Sequence, residues 1–313
     1  NMSMSNSHAR AVFDVADIII LEVNEKLPFV HGLENTIHIS EVDMVIEGEH
    51  EGLTEFPSIV AGPVEEQIAE SIVDRMTNGA CIQLGVGGMP DAIGKLIAES
   101  ELKDLGIHTE LLVNAYLDMH KAGKITNLNK HDIMRGKSVF SIAHGTKELF
   151  DWVSDNPSMC CAPINYVNDL SVIGEIDNFV SINSCIAVDL FGQISAESAG
   201  TRHISGTGGQ LDFLTAGFKN PRAQSFIALP STYTDKKGNL HSNIKPTFTG
   251  GDIITDPRSQ AYTMVTEYGI ENLAGASVWE RAEKLISLAH PDFREELIES
   301  AKKVNVWRQS NKR

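Results

Sequence analysis

The residue around which chemistry is most readily built in this sequence is a glutamate. Glu110 sits in GIHTELLVNAY, on or at the start of an apolar strand, where an ionised carboxylate is costly unless it is paired, exposed or put to use. Such a carboxylate can attack an acyl carbonyl and carry the product covalently. Read alone, it is a surface residue at a strand edge. Two glycine turns share the pattern GxGG. Gly85, Gly87 and Gly88 follow an apolar strand and precede a helix, so backbone N–H groups there could face a phosphate, carbonyl or carboxylate oxygen. Gly206, Gly208 and Gly209 lie in HISGTGGQLDF, where the backbone could approach an oxyanion closely. Each turn alone is also simply a place where the chain must bend sharply. The first is not a dinucleotide fingerprint, because Pro90 stands where the last glycine would be.

Other chemistries lack their signatures. There is no GxSxG nucleophile elbow and no HExxH pair. Cys81, Cys160, Cys161 and Cys185 show no CxxC spacing, which suits reduced, partly buried thiols better than zinc or a disulfide framework. The eleven histidines, His108 and His203 among them, read as ordinary hydrogen-bonded residues. With 26 basic against 42 acidic residues, the formal charge of -16 disfavours nucleic acid, while a local pocket for one small anionic ligand stays compatible with it. No stretch has the apolar length of a membrane helix and NMSMSNSHAR has no signal-peptide core, so the expected compartment is the cytoplasm.

The elements that must position these residues follow from periodicity. A chain of 313 residues, 42% hydrophobic, exceeds what one core usually holds, and two domains are expected. Strands and turns run from Asp14 to Val45, with an apolar strand at Ala16 to Val23. Acidic, Pro- and Gly-bearing residues from Glu47 to Pro63 then mark a boundary. Beyond it come a helix at Val64 to Met76, a strand at Cys81 to Val86 and a helix at Pro90 to Glu99. Strands at Thr109 to Ala115 and Ser138 to Ala143, and a helix at Lys147 to Ser154, extend a largely parallel α/β sheet. Asn178 to Ser195 and a hairpin about Asp235 to Asn239 read as β-structure near the sheet's far edge. Two amphipathic helices, Ser277 to Ala289 with a Ser277/Glu280 capping box and Pro291 to Val304, close the chain.

Six stretches, in their order and spacing, resemble the acetyl-CoA hydrolase/transferase family, in particular its butyryl-CoA:acetate and 4-hydroxybutyrate CoA-transferase branch. They are IHISEVD at Ile37 to Asp43, LGVGGMPDAIGKLIAES at Leu84 to Ser100, LGIHTE at Leu105 to Glu110, SGTGGQLDF at Ser205 to Phe213, VTEYGI at Val265 to Ile270 and AHPDFR at Ala289 to Arg294. The resemblance implies a CoA-transferase-like α/β fold of two domains with open, mostly parallel sheets flanked by helices. Residues 1–56 would be the remainder of an N-terminal CoA-transferase domain, whose opening part is expected before Asn1, and 57–313 the C-terminal domain with the catalytic glutamate.

By the same resemblance Glu110 is the active glutamate, Gly85, Val86, Gly87, Gly88 and Met89 contact CoA, Gly208 and Gly209 stabilise the reacting carbonyl, and Asn183 lines the site. The implied reaction moves CoA from a short-chain acyl-CoA to a carboxylate such as acetate, through a glutamyl-CoA thioester. Coenzyme A is then a substrate, no permanently bound cofactor or metal is expected, and the protein is expected to be a homo-oligomer. Alternatives are an acyl-CoA hydrolase, if water reaches the intermediates, and a catalytically silent CoA-binding fragment or subunit. Ala187 in INSCIAVDL stands where relatives are expected to carry an acidic residue, a departure expected to alter acceptor choice or weaken activity.

Overall fold

The segments CIQL, GIHTELL and FVSINS are buried almost throughout, the pattern of parallel strands covered on both faces. In the computed structural model, which describes residues 1–130, 132–217, 219–308 and 310, they form the middle of an eight-stranded sheet. From edge to edge its strands are Gly269–Asn272, Thr263–Thr266, Gln224–Ala228, Phe179–Ser184, Cys81–Leu84, Gly106–Leu112, Ser138–Ala143 and Met159–Cys161. Every neighbouring pair is parallel except the edge hairpin of Thr263–Thr266 with Gly269–Asn272.

Alternation along the strands sends side chains to two different layers. One face presents Ile82, Leu84, Ile107, Phe140 and Ile182, covered by the helices Pro63–Val73, Gly88–Glu99 and Asn114–Lys121 through Ile68, Ile72, Ile93, Ile97 and Tyr116. The other presents Cys81, Val139 and Phe179, covered by short helices at Ile164–Val167, Leu170–Gly174 and Gln210–Ala216 through Val167, Ile173 and Phe213. A third cluster seats the closing helices, Val278–Ser287 and Pro291–Lys303, against Ile227, Met264 and Leu273. Burying each large aliphatic side chain contributes about 1.5–3 kcal/mol. The Ser277/Glu280 capping box forms as expected.

Two elements differ from the sequence reading. The strand expected to reach Ala115 stops at Leu112, and a helix begins at Asn114. Its buried face, Tyr116 with Met119, follows helical spacing, and the Tyr116 hydroxyl accepts a 2.7 Å hydrogen bond from the Leu84 N–H; NAY reads as strand only while the residues after it are ignored. Phe179–Ser184 lies in the centre of the sheet, because Gln224–Ala228 and Thr263–Thr266 pair outside it. The expected hairpins do form, Ala187–Asp189 with Ile194–Ser195 and Thr232–Thr234 with Leu240–Ser242.

The first 56 residues are divided in their packing. Met4 and Val30 join the sheet's core, and Asn6 N–H bonds the Ser141 carbonyl. Ile20–Val23 and Met44–Glu47, by contrast, form a two-stranded parallel pair covered on neither face, with Ile20, Val23, Met44, Val45 and Ile46 all exposed. Cys81, Cys160, Cys161 and Cys185 are free thiols, the first three buried. Among the described residues no helix is long and apolar enough to cross a membrane.

Candidate active site

From Cys81–Leu84 the chain builds the sheet strand by strand out to Met159–Cys161, then returns to the other side of its starting point with Phe179–Ser184. Such a reversal opens a crevice beyond the carboxyl ends of the two strands that diverge. Gly85 directly follows one of them and Asn183 lies near the end of the other. Their closeness is direct, since a Cβ on Gly85 would fall 3.1 Å from Asn183 Oδ1. Asn183 is held by a buried amide network. Its Nδ2 donates to Gln83 Oε1 at 3.0 Å and to Ser181 Oγ at 3.1 Å, while Gln83 Nε2 returns a bond to Asn183 Oδ1 at 3.1 Å.

Glu110 projects from the adjacent strand, Gly106–Leu112, on the same face as His108. Its Oε2 accepts a 2.8 Å hydrogen bond from Asn168 Nδ2, the residue that ends the Ile164–Val167 helix. Among the described residues its Oε1 accepts none. The same Asn168 amide donates to Asp212 Oδ2 at 3.3 Å, and burial pushes the Asp212 carboxyl above its ordinary range, with the Asn168 bond opposing.

The second glycine turn closes on this carboxylate. A Cβ at Gly209 would stand 2.0 Å from Glu110 Oε2 and 2.1 Å from Asn168 Nδ2, so only glycine fits. Gly208 before it holds φ +58°. Side chains on either flank tether the turn. Thr207 Oγ1 donates to Glu197 Oε2 at 3.2 Å, and Gln210 Nε2 donates to Asp256 Oδ2 at 2.6 Å. Burial, with the nearby Glu197 charge adding to it, pushes Asp256 up to about 6 against the Gln210 hydrogen bond.

Glu110 and Gly208 border two cavities. One, of about 430 Å³, lies over the strand ends and is lined by Gln83, Gly85, Val86, Asn183 and Gly206 to Gly209. The other, of about 590 Å³, lies toward His8, Asn165, Asn168, Asp169 and Asp212. Of the residues singled out in the sequence, Glu110, Gly85, Val86, Asn183, Gly208 and Gly209 thus come together. Gly87, Gly88 and Met89 line neither cavity. Gly87 caps the Gly88–Glu99 helix, Gly88 lies under Ile59, and the Met89 side chain is in the core. Ala187 is buried in its hairpin opposite Ser195, outside both cavities, so its side chain does not contribute to either lining. Among the described residues no group of three or more His, Cys, Asp or Glu is placed to hold a metal ion.

Residues 145–301 match the acetyl-CoA hydrolase/transferase C-terminal domain. The chain belongs to the acetyl-CoA hydrolase/transferase family. It is 51% identical to butyryl-CoA:acetate CoA-transferase of Anaerostipes caccae, an alignment covering all of this chain and 70% of that protein. It is 39% identical to 4-hydroxybutyrate coenzyme A transferase of Clostridium kluyveri, over 97% of this chain and 69% of the relative. Among solved structures, 4-hydroxybutyrate CoA-transferase from Porphyromonas gingivalis superposes with a TM-score of 0.81 at 36% identity, covering 96% of this chain and 70% of that one. Within the family match fall Asn168, Asn183 and the second glycine turn, while Glu110 and the first turn precede it.

Asn168, Asp212 and Gln83 were not legible as site residues. Asn168 is 58 positions from Glu110, and Asn-Asp before an apolar run reads as a turn or helix cap. Asp169 does cap the next helix, accepting from the N–H groups of Ser171 and Val172. No spacing rule separates that role from its neighbour's.

Proposed function

We propose that the chain is a CoA-transferase that moves CoA from a short-chain acyl-CoA, butyryl-CoA or 4-hydroxybutyryl-CoA, to a carboxylate such as acetate, with Glu110 as the covalent carrier. The carrying observation is a carboxylate at the junction of two cavities, one oxygen held by Asn168 and the other without a hydrogen bond among the described residues, in a chain half identical to a butyryl-CoA:acetate CoA-transferase.

A Glu110 oxygen attacks the thioester carbonyl, the carbon–sulfur bond breaks and CoA thiolate leaves, giving an acyl-glutamyl anhydride. The thiolate then attacks the glutamyl carbonyl, the anhydride carbon–oxygen bond breaks and the first acid departs, leaving glutamyl-CoA. An acceptor carboxylate reverses both steps, so the kinetics are ping-pong. Each attack places negative charge on a carbonyl oxygen, and the backbone N–H groups of Gly208 and Gly209 in the turn beside Glu110 are candidate donors. The Asn168 amide takes charge on the glutamyl side. Gly85, Val86 and Asn183 bind the CoA arm, while Gly87, Gly88 and Met89 serve the turn into the following helix. Carboxylates are weak nucleophiles, so orientation drawn from distant CoA contacts carries much of the acceleration.

The carrier alone makes no distinction between transfer and hydrolysis; exclusion of water does. The transferase reading is favoured because relatives named as hydrolases are only 25–26% identical. No resident cofactor is required, since the chemistry runs between a thioester and carboxylates. The protein is read as a cytoplasmic homo-oligomer. Residues 1–56 are assigned to an N-terminal CoA-transferase domain, a reading supported by the uncovered apolar pair Ile20–Val23 and Met44–Glu47.

Incubation with butyryl-CoA, borohydride reduction and peptide mass spectrometry tests the carrier: the modification is expected on Glu110 alone, and modification of another carboxylate overturns the assignment. A panel of acetate, butyrate and 4-hydroxybutyrate as acceptors then ranks the substrates.

A further inference from the structure

The sequence offers no task for His108, an ordinary buried histidine two residues before the candidate nucleophile. Its side chain is fully buried. Its ring stands 6.4 Å from both Tyr166 and Phe179, and its Nε2 lies 2.7 Å from the Val167 carbonyl oxygen. A carbonyl can only accept, so Nε2 carries the proton. Nδ1 is then a bare lone pair if the ring is neutral, and among the described residues it has no partner. Burial, with Lys130 adding to it, pushes the imidazole down to about 3 against the Val167 hydrogen bond, so the ring is neutral at any working pH.

We infer that His108 is a positioning residue for the transfer reaction: by holding the Val167 carbonyl it fixes the helix end that presents the Asn168 amide to Glu110. This rests on the reading of Glu110 as carrier. The Ile164–Val167 helix is a single turn whose Ile164 and Tyr166 carbonyls accept from the backbone that follows, while the Val167 carbonyl at its end takes the His108 ring. Asn168 ends it, with its N–H on the Ile164 carbonyl at 2.9 Å and its side chain on Glu110 at 2.8 Å. Val167, covalently next to Asn168, is tied by His108 to the same strand that carries Glu110. Strand, helix end and carboxylate therefore form a closed loop of contacts, His108 to Val167, Asn168 to Glu110, with two residues of strand completing it.

The choice of imidazole follows from the site. His108 and Glu110 share a face of the strand, about 7 Å apart along it. A lysine or arginine there could also reach the carbonyl, but would put a positive charge next to the nucleophile and hold its electrons. A neutral imidazole supplies a rigid donor without that charge. A serine or threonine is too short to span from the strand to the helix end.

Two substitutions separate holding from filling. His108→Gln keeps an N–H near the Nε2 position, whereas His108→Leu keeps volume and loses the donor. On the purified chain we expect His108→Leu to lower kcat at least about tenfold with KM for acyl-CoA changed less than about threefold, and His108→Gln to recover most of the loss. In an Asn168→Ala background, His108→Leu is expected to cost less than about twofold further, because its effect runs through the missing amide. Undiminished cost in that background, or equal damage from Gln and Leu, overturns the inference. Crystal structures read it without turnover: in His108→Leu, or in His108→Asn if Leu does not fold, loss of the Nε2-position donor is expected to lengthen the Asn168 Nδ2 to Glu110 Oε2 distance beyond about 3.5 Å, while His108→Gln leaves it within hydrogen-bond reach. That distance unchanged where the donor is gone overturns it. A chain in which Glu110→Ala transfers CoA normally would sink the carrier reading and leave this distance to be measured on its own.

Discussion

The two GxGG turns share a pattern and differ in what they touch. The first, Gly85 to Gly88, runs from a central strand into a twelve-residue helix, and its later residues turn away from the crevice; beyond Val86 it meets Ile59 and the core. The second, Gly206 to Gly209, lines a cavity throughout, presses against Glu110 and is tethered on both flanks by buried acids. A glycine motif states that the backbone can come close to something. Which residue of the motif does so depends on where the following helix starts, and that is set by packing far from the turn.

If the second turn is where chemistry happens, Glu110 must be its centre, and removing it gives the largest effect. Glu110→Ala is expected to reduce CoA exchange between acids on the order of 10³-fold or more with the fold retained, measured as label transfer from acyl-CoA to acetate. The comparison of the turns is sharpened by one methyl group in each. Gly209→Ala puts a Cβ 2.0 Å from the Glu110 carboxylate and should cost on the order of 10²-fold in kcat, since displacement of a reacting group by about 1 Å does so. Gly88→Ala meets only the end of Ile59 at 3.4 Å, ordinary contact at the start of a helix, and is expected to change kcat less than about threefold. Equal losses in the two variants would erase the distinction.

Asn168→Ala comes next. Hydrogen bonds to charged groups contribute about 1.5–3 kcal/mol, so kcat is expected to fall roughly ten- to a hundredfold, with less change in KM because the amide bonds Glu110, the proposed carrier. A KM effect larger than the kcat effect would move Asn168 from the carrier's side to the substrate's.

The fold was legible where one local rule governed. Ser138–Ala143 follows from a short apolar run and Val278–Ser287 from amphipathic spacing behind a capping box. The central place of Phe179–Ser184 did not, because an apolar run bounded by turns is equally good at an edge or in the middle, and only pairing with Gln224–Ala228 decides. Glu110 and the two turns became a site through a family-wide pattern, not through their local chemistry. Asn168 and His108 stayed hidden for a different reason. Their roles depend on a one-turn helix packing against a strand more than fifty residues earlier, and each residue alone has a commoner use, as a cap or as a core polar group.

The smallest effect concerns the tether of the second turn and has a definite sign. Asp256 is fully buried beneath Gln210, the residue after Gly209, and among the described residues one of its oxygens has no partner. Burial, with the charge on Glu197, raises its folded pKa from 3.8 to about 6. Between those values the folded state binds more proton than the unfolded one, so the stabilisation present below pH 3.8 is lost as pH rises through about 6. Asp256→Asn keeps an acceptor for Gln210 and does not titrate. Relative to wild type it should gain on the order of 2–3 kcal/mol between pH 4 and pH 7, read as a difference in urea midpoints at each pH. The pairwise difference matters because His108 works the other way: its pKa is lowered from 6.5 to about 3, so its contribution is present above 6.5 and lost as pH falls toward 3, and it cancels only when variant and wild type are compared at the same pH. A difference that stays flat across this window would mean that Asp256 is ionised without penalty, and the second turn would then rest on a floor no more strained than the first.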